Sequence, residues 1–142
     1  MNELIKKHII DHRGALDSIS QLEESIVKVA NLLIRCLEKK GTIFWCGNGG
    51  SASDSQHLAG ELVGRFAGER RPLKSISLTA DSAVITCIVN DYGYDHIFSR
   101  QVEALGAEGD VLVGISTSGN SQNVLNAFKE AEKRNMSTIG LL

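Results

Sequence analysis

The feature that most constrains this chain is a pattern that occurs twice. A short apolar run leads into a turn rich in glycine and small polar residues, and a helix-forming stretch follows. The first copy is Thr42-Ile43-Phe44-Trp45-Cys46, then Gly47-Asn48-Gly49-Gly50-Ser51, then a predicted helix from about Ser53 to Phe66. The second is Asp110-Val111-Leu112-Val113-Gly114-Ile115, then Ser116-Thr117-Ser118-Gly119-Asn120-Ser121, then a helix to Arg134 with Val124, Leu125, Phe128 and Ala131 on one face. Short continuous apolar runs fit strands covered on both faces, and their alternation with helices predicts a parallel sheet. Further strands are expected over residues 75–78, opened by Pro72, and over residues 137–142. Between them, residues 83–89 have strand propensity but also a helical spacing of Val84, Ile85, Ile88 and Val89. The α/β rhythm favours helix, with Ser82 or Asp81 as N-cap. A helix over residues 95–105 is expected to follow.

Residues 1–40 precede the first strand and carry no obvious chemistry. Leu22, Ile26, Val29, Leu33, Cys36 and Leu37 step by three or four, the mark of an amphipathic helix, and Leu4, Ile5, Ile9, Leu16 and Ile19 do so less regularly. Gly41 is the predicted C-cap of the second helix. Two such helices exceed what one small sheet can cover, so they are read partly as an oligomerisation surface. The whole, residues 1–142, is read as one domain: an N-terminal helical pair over 1–40 and an α/β core over 41–142. The chain ends on a strand with no helix after it and is read as C-terminally truncated.

Composition excludes several classes. A 42% hydrophobic content with 23% charged residues is not that of a disordered chain, and a net charge of -2 lacks the cationic excess of a nucleic-acid binder. No apolar stretch is long enough to span a bilayer, and the N-terminus has no signal-peptide core. Cys36, Cys46 and Cys87 have neither disulfide-framework nor zinc-knuckle spacing. The default is a soluble cytoplasmic protein without nucleic-acid or membrane partners.

The two turns leave the carboxyl ends of parallel strands and open helices, the place where open α/β sheets bind ligands and where helix N-termini favour anions. The hydroxyls of residues 116–121 read as a phosphate cradle without lysine; one such loop alone could equally be turn and cap chemistry. Gly47-x-Gly49-x-x-Ala52 matches a dinucleotide fingerprint formally, but the acidic residue expected about 20 positions on is missing, and Asp81 lies too far along. His57 and Glu61, four apart, share a helical face within reach of one metal or one substrate, though spacing alone fits a surface ion pair better. Asn90-Asp91 before Tyr92-Gly93 reads as a turn, Arg70-Arg71 as a solvated turn, and His8 and His12 as solvated helix residues.

Taken together, Cys46-Gly47-Asn48-Gly49-Gly50-Ser51-Ala52 with His57-Leu58-Ala59-Gly60-Glu61, Asn90-Asp91-Tyr92-Gly93 with Ile97-Phe98-Ser99-Arg100, and Gly109 through Ser121 resemble the phosphoheptose isomerases of the sugar-isomerase (SIS) domain family. The resemblance runs over nearly the whole chain. It implies a flavodoxin-like parallel sheet and the conversion of sedoheptulose 7-phosphate to glycero-manno-heptose 7-phosphate, a step toward the heptose of the lipopolysaccharide core. It further implies a cytoplasmic homotetramer, a zinc ion, and sites built at subunit contacts. By the same resemblance Asn48, Gly49, Gly50, Ser51, Asn90 and Asp91 would line the substrate, and Ser116, Thr117, Ser118 and Ser121 would bind its phosphate. His57 and Glu61 would be zinc ligands, with Glu61 also the acid/base at the sugar carbons. The family's second acid/base histidine, a further zinc ligand and a glutamine come from a terminal helix with no counterpart in this chain. A rival of another class shares the fold: the SIS protein that associates with the replication initiator DnaA is a binding protein that lacks the glutamate of the H-x-x-x-E pair, so Glu61 favours the enzyme. A SIS regulatory domain would come fused to a further domain, and none is expected here.

Overall fold

The computed structural model describes residues 1–142. They fall into two compact units, residues 1–32 and 33–142. The first holds α1 (Asn2–Ile19), a 3₁₀ turn (Ser20–Leu22) and the opening turns of α2 (Glu23–Glu38). No residue of α1 is buried, and Leu4, Ile5, Ile9, Leu16 and Ile19 all remain exposed within this unit. The two helices of the sequence pattern are thus formed, and the apolar stripe of α1 is uncovered.

In the second unit, α2 ends differently from the expectation. Lys40, not Gly41, takes the left-handed conformation (φ 64°), Lys40 N–H donates to Leu37 O (3.1 Å), and Gly41 N–H donates to Cys36 O (2.9 Å). This is a Schellman closure with lysine at C′. Gly41 is needed for space: a Cβ there would lie 2.8 Å from Cys36 Sγ and 3.1 Å from Gly109 O.

The core of this unit is a four-stranded parallel sheet: β1 (Ile43–Gly47), β2 (Ser75–Ser77), β3 (Val111–Ile115) and β4 (Ser137–Leu141), in the order β2-β1-β3-β4. β1 is buried along its whole length, as its apolar run requires. Phe44 and Trp45 are core residues, and the Trp45 indole N–H donates to Ser75 Oγ (2.8 Å), the partner a buried indole needs. Burial pushes the Cys46 thiol up to about 12, which leaves it an inert core sulfur. The helices are α3 (Gly50–Val63), α4 (Ser82–Tyr92), α5 (Ser99–Leu105) and α6 (Gln122–Lys133). Residues 83–89 are helical, and Asp81 is the cap, accepting from Ala83 N and Val84 N. The helix expected over 95–105 is broken: Tyr94–His96 form a 3₁₀ turn and α5 starts only at Ser99.

The strand order fixes the ligand side. From β1 the chain moves one way to β2, and from β3 the opposite way to β4. Right-handed crossovers then put α3 and α6 on opposite faces of the sheet. The carboxyl ends of adjacent β1 and β3, paired as Gly47 with Ile115, form the switch point where such sheets bind ligands.

Candidate active site

Both turns emerge at this switch point. After β1 the turn is only Asn48 and Gly49, because α3 begins at Gly50, three residues before the sequence pattern predicts. Gly50 and Ser51 therefore belong to the first helical turn rather than to the loop. Gly49 has φ 57°, and Ser51 N and Ala52 N close the turn onto Asn48 O and Gly49 O (3.0 and 3.1 Å), leaving the N–H groups of Gly49 and Gly50 without a protein acceptor. Gly47 cannot carry a side chain: a Cβ would meet Ser51 Cβ at 2.7 Å and Ile115 O at 2.9 Å. Small side chains continue into α3, where the buried Ser55 returns its hydroxyl to Ser51 O (2.8 Å). Thr79, just after β2, donates to Ala52 O (3.0 Å) and accepts from Gln56 (3.3 Å), so the start of α3 is anchored to the sheet.

The second turn is longer and made of side-chain hydroxyls. Ser116 is buried, its hydroxyl 3.0 Å from that of Ser121 and 3.5 Å from that of Ser118. Ser121, the N-cap of α6, makes no side-chain cap bond, so its hydroxyl joins this cluster; the N–H groups of Gln122 and Asn123 stay open, while that of Val124 is taken by Ser121 O (3.0 Å) and Asn123 Oδ1 (2.9 Å). Ser116 N–H is held by Leu141 O (2.9 Å), and Gly119 takes φ 66° to turn the chain. Three hydroxyls and a helix N-terminus around one turn form a donor set for an anion. Thr117 lies in the same turn with its side chain exposed.

The two turns are joined by an amide pair. Asn48 Nδ2 donates to Asn123 Oδ1 (3.0 Å), and Asn123 Nδ2 donates to Asn48 Oδ1 (2.8 Å). Tyr94 Oη donates to the same Asn48 oxygen (2.7 Å), which draws in the segment after α4. Neither Asn123 nor Tyr94 stands out in the sequence. Asn123 is 1% exposed in the first turn of α6, and its partner lies 75 residues away. Asn90 and Asp91 are not a turn. They occupy the last turn of α4, which Gly93 (φ 87°) ends, and Asn90 Nδ2 donates to Asp91 Oδ1 (2.7 Å).

His57 and Glu61 face each other on α3, with Nε2 and Oε1 3.6 Å apart. The His57 side chain is 72% exposed and that of Glu61 34%, so the carboxylate is the more sheltered of the two. With α3 starting at Gly50, Glu61 lies about 16 Å along the axis from the helix start. No group of three or more His, Cys, Asp or Glu side chains gathers in the chain. Arg70 is more than a solvated residue: it donates to Glu61 O (2.6 Å) and Leu62 O (2.9 Å), capping the end of α3. Arg65 forms an ion pair with Glu69.

Other concavities lie away from these turns. One of about 380 Å³ is lined by Tyr92, His96, Arg100 and Lys129, with the Arg100 guanidinium 3.9 Å over the Tyr92 ring. Another of about 580 Å³ is lined by Ile76, Val84 and Leu105. Neither contains the hydroxyl cluster, His57 or Glu61.

A parallel sheet of order β2-β1-β3-β4, with two turns that open helices at its switch point, is an α/β architecture of the kind that binds small ligands there. Residues 11–142 match the model of the SIS domain, and the chain belongs to the SIS domain family. It is similar to the phosphoheptose isomerase of Helicobacter pylori strain ATCC 700392 / 26695, 52% identical over 142 residues that cover 99% of this chain and 74% of that protein. It is also similar to a phosphoheptose isomerase of Campylobacter jejuni serotype O:6, 51% identical over 99% of this chain and 76% of that protein. Among solved structures, phosphoheptose isomerase GmhA from Neisseria gonorrhoeae superposes with a TM-score of 0.89 at 46% identity, covering 98% of this chain and 73% of that one. A phosphoheptose isomerase from Francisella tularensis gives 0.92 at 38% identity, over 99% and 73%.

Proposed function

We propose that this protein is a phosphoheptose isomerase. It converts sedoheptulose 7-phosphate to D-glycero-D-manno-heptose 7-phosphate, toward the heptose of lipopolysaccharide. Relatives of that name at about half identity support the reading. The observation that carries it is Glu61, a partly sheltered carboxylate paired with His57 on the helix that opens at the switch point, in a chain whose second turn clusters hydroxyls suited to a phosphate. The same residue disfavours the DnaA-binding alternative, whose distinguishing mark is the lack of this glutamate.

The chemistry assigns roles. The Ser116–Ser118–Ser121 cluster and the α6 N-terminus hold the phosphate. Glu61 removes a proton from C1 of the ketose, the electron pair forms the C1=C2 bond, and the C2 oxygen takes a proton from water to give the enediol. In the second half the C1 hydroxyl gives its proton back to water as the C1 carbonyl forms, and C2 receives the carbon-bound proton from Glu61.

His57 Nε2 and Glu61 Oε1 are donor types that zinc accepts, already facing each other, and make two of the three protein ligands usual at a catalytic zinc. We assign them to that metal, which when bound polarises the carbonyl. The uncovered stripe of α1 supports assembly through residues 1–40 into a homotetramer. No helix is long and apolar enough to cross a membrane; the reading itself carries a cytoplasmic location.

The test is an isomerase assay of the full-length protein on sedoheptulose 7-phosphate beside shorter ketose phosphates. Turnover of the seven-carbon substrate is expected, and no turnover of any would overturn the reading. Zinc analysis should find metal in the wild type and less in His57→Ala. Sedimentation should find no stable monomer at micromolar concentration.

A further inference from the structure

Val124 N–H is shared between Ser121 O (3.0 Å) and Asn123 Oδ1 (2.9 Å), and an NH₂ in place of that amide oxygen would set donor against donor. A backbone N–H can only donate, so this bond orients the Asn123 amide, with its oxygen toward the α6 backbone and its NH₂ toward Asn48 Oδ1. The orientation of Asn48 follows. Its oxygen takes Asn123 Nδ2 (2.8 Å) and Tyr94 Oη (2.7 Å), filling both lone pairs. One hydrogen of its NH₂ goes to Asn123 Oδ1 (3.0 Å). Asn48 is left with a single N–H and no acceptor capacity.

We propose that Asn123 and Tyr94 are positioning residues, which hold Asn48 as a fixed one-hydrogen donor to a hydroxyl or carbonyl oxygen of the sugar phosphate. The proposal rests on the isomerase reading above. Tyr94 also follows Asn90 and Asp91 closely in the chain, so its bond ties the end of α4 to the first turn. Residues next to the second and third sequence blocks therefore meet the first block at one amide. The energetic logic is pre-organisation: a donor already aimed loses little freedom when substrate arrives, and small displacements of such groups reduce rates steeply.

Asn123 is 1% exposed, and its truncation could unfold the protein. Tyr94 is 54% exposed, and Tyr94→Phe deletes only the hydroxyl. The decisive experiment is therefore a double-mutant cycle on the full-length enzyme with sedoheptulose 7-phosphate, combining Tyr94→Phe with Asn48→Ala. Tyr94→Phe alone should lower kcat/KM about 3- to 10-fold, the loss of one hydrogen bond, while its melting temperature stays near that of the wild type. In the Asn48→Ala background the same change should have no effect, because Tyr94 acts only through Asn48. Wild-type kcat/KM in Tyr94→Phe, or an equal loss in both backgrounds, overturns the proposal while leaving the isomerase reading intact. A wild type that fails to turn over the substrate removes the isomerase reading, and the proposal falls with it.

Discussion

The two strand–turn–helix repeats share one plan, and the proposed function divides one task between them. In the first, the turn is two residues long, and its only long polar side chain, Asn48, is bonded to Asn123 and Tyr94. It offers backbone N–H groups, and its helix carries His57 and Glu61. In the second, the turn runs from Ser116 to Ser121 and offers clustered hydroxyls. Its helix carries an acid too, but Glu130 accepts from Lys133 (2.8 Å) and Arg134 (3.3 Å) and so stabilises the helix end. The same strand end and helix start can thus anchor an anion or present a base. What decides is where the acid sits and which cations neighbour it.

The sharpest way to break this contrast is to remove the base from the first repeat. Glu61→Gln keeps the volume and loses the basic oxygen, and kcat should fall about 100- to 10,000-fold. KM should change far less, since the proposed phosphate anchor lies in the second repeat. A near-normal kcat would take Glu61 out of the chemistry. Because Gln is also a poorer zinc ligand, bound metal has to be measured on the same sample.

The next effect is on stability. Gly47→Ala would drive a Cβ to 2.9 Å from Ile115 O and Ser51 O, both backbone atoms that cannot step aside. Gly114→Ala in the second repeat meets the side chains of Phe128 (2.5 Å) and Val124 (2.6 Å). Overpacking of this kind typically costs about 1–3 kcal/mol. Thermal melts should place Gly47→Ala toward the upper end, because Phe128 and Val124 can repack. The reverse order would mean that α6 is the stiffer attachment.

The repeats themselves were legible because buried parallel strands leave apolar runs and the turns carry glycine and serine. Their boundaries were not. Gly50 and Ser51 read as loop, since small polar residues mark turns as readily as a first helical turn; the choice was made by Thr79 and Gln56 holding the start of α3. Asn90-Asp91 before Gly93 read as a turn for the same reason, and became helix because Asp81 capped the chain nine residues earlier. Asn123 was invisible. A lone asparagine at the start of an amphipathic helix looks solvated until the fold brings Asn48 to it.

The hydroxyl turn sets a milder test. Ser118→Ala removes one donor of the cluster and should raise KM roughly tenfold, the scale of one hydrogen bond to a charged group, with kcat nearly kept. Opposite signatures in Glu61→Gln and Ser118→Ala are what a division between chemistry and anchoring requires. If Ser118→Ala lowered kcat and left KM alone, the phosphate would not lie in this turn.

The smallest effect concerns Glu130, the acid that the second repeat uses for structure. The Lys133 hydrogen bond, ahead of its charge and of Arg134, holds the Glu130 carboxyl below its ordinary range. A carboxyl lowered by folding adds stability that is fully present above its unfolded value, near pH 4, and fades as pH falls through its folded value. Glu130→Gln should therefore melt slightly below the wild type at pH 7, and the gap should close under acid. The Lys133 side chain is 71% exposed, so solvent screens the pair and the shift should be on the order of one degree, shrinking in high salt. Parallel melts of both proteins from neutral to acid pH decide it. A gap that stayed constant with pH would come from packing at the end of α6, and Glu130 would then no longer contrast with Glu61 by its charge.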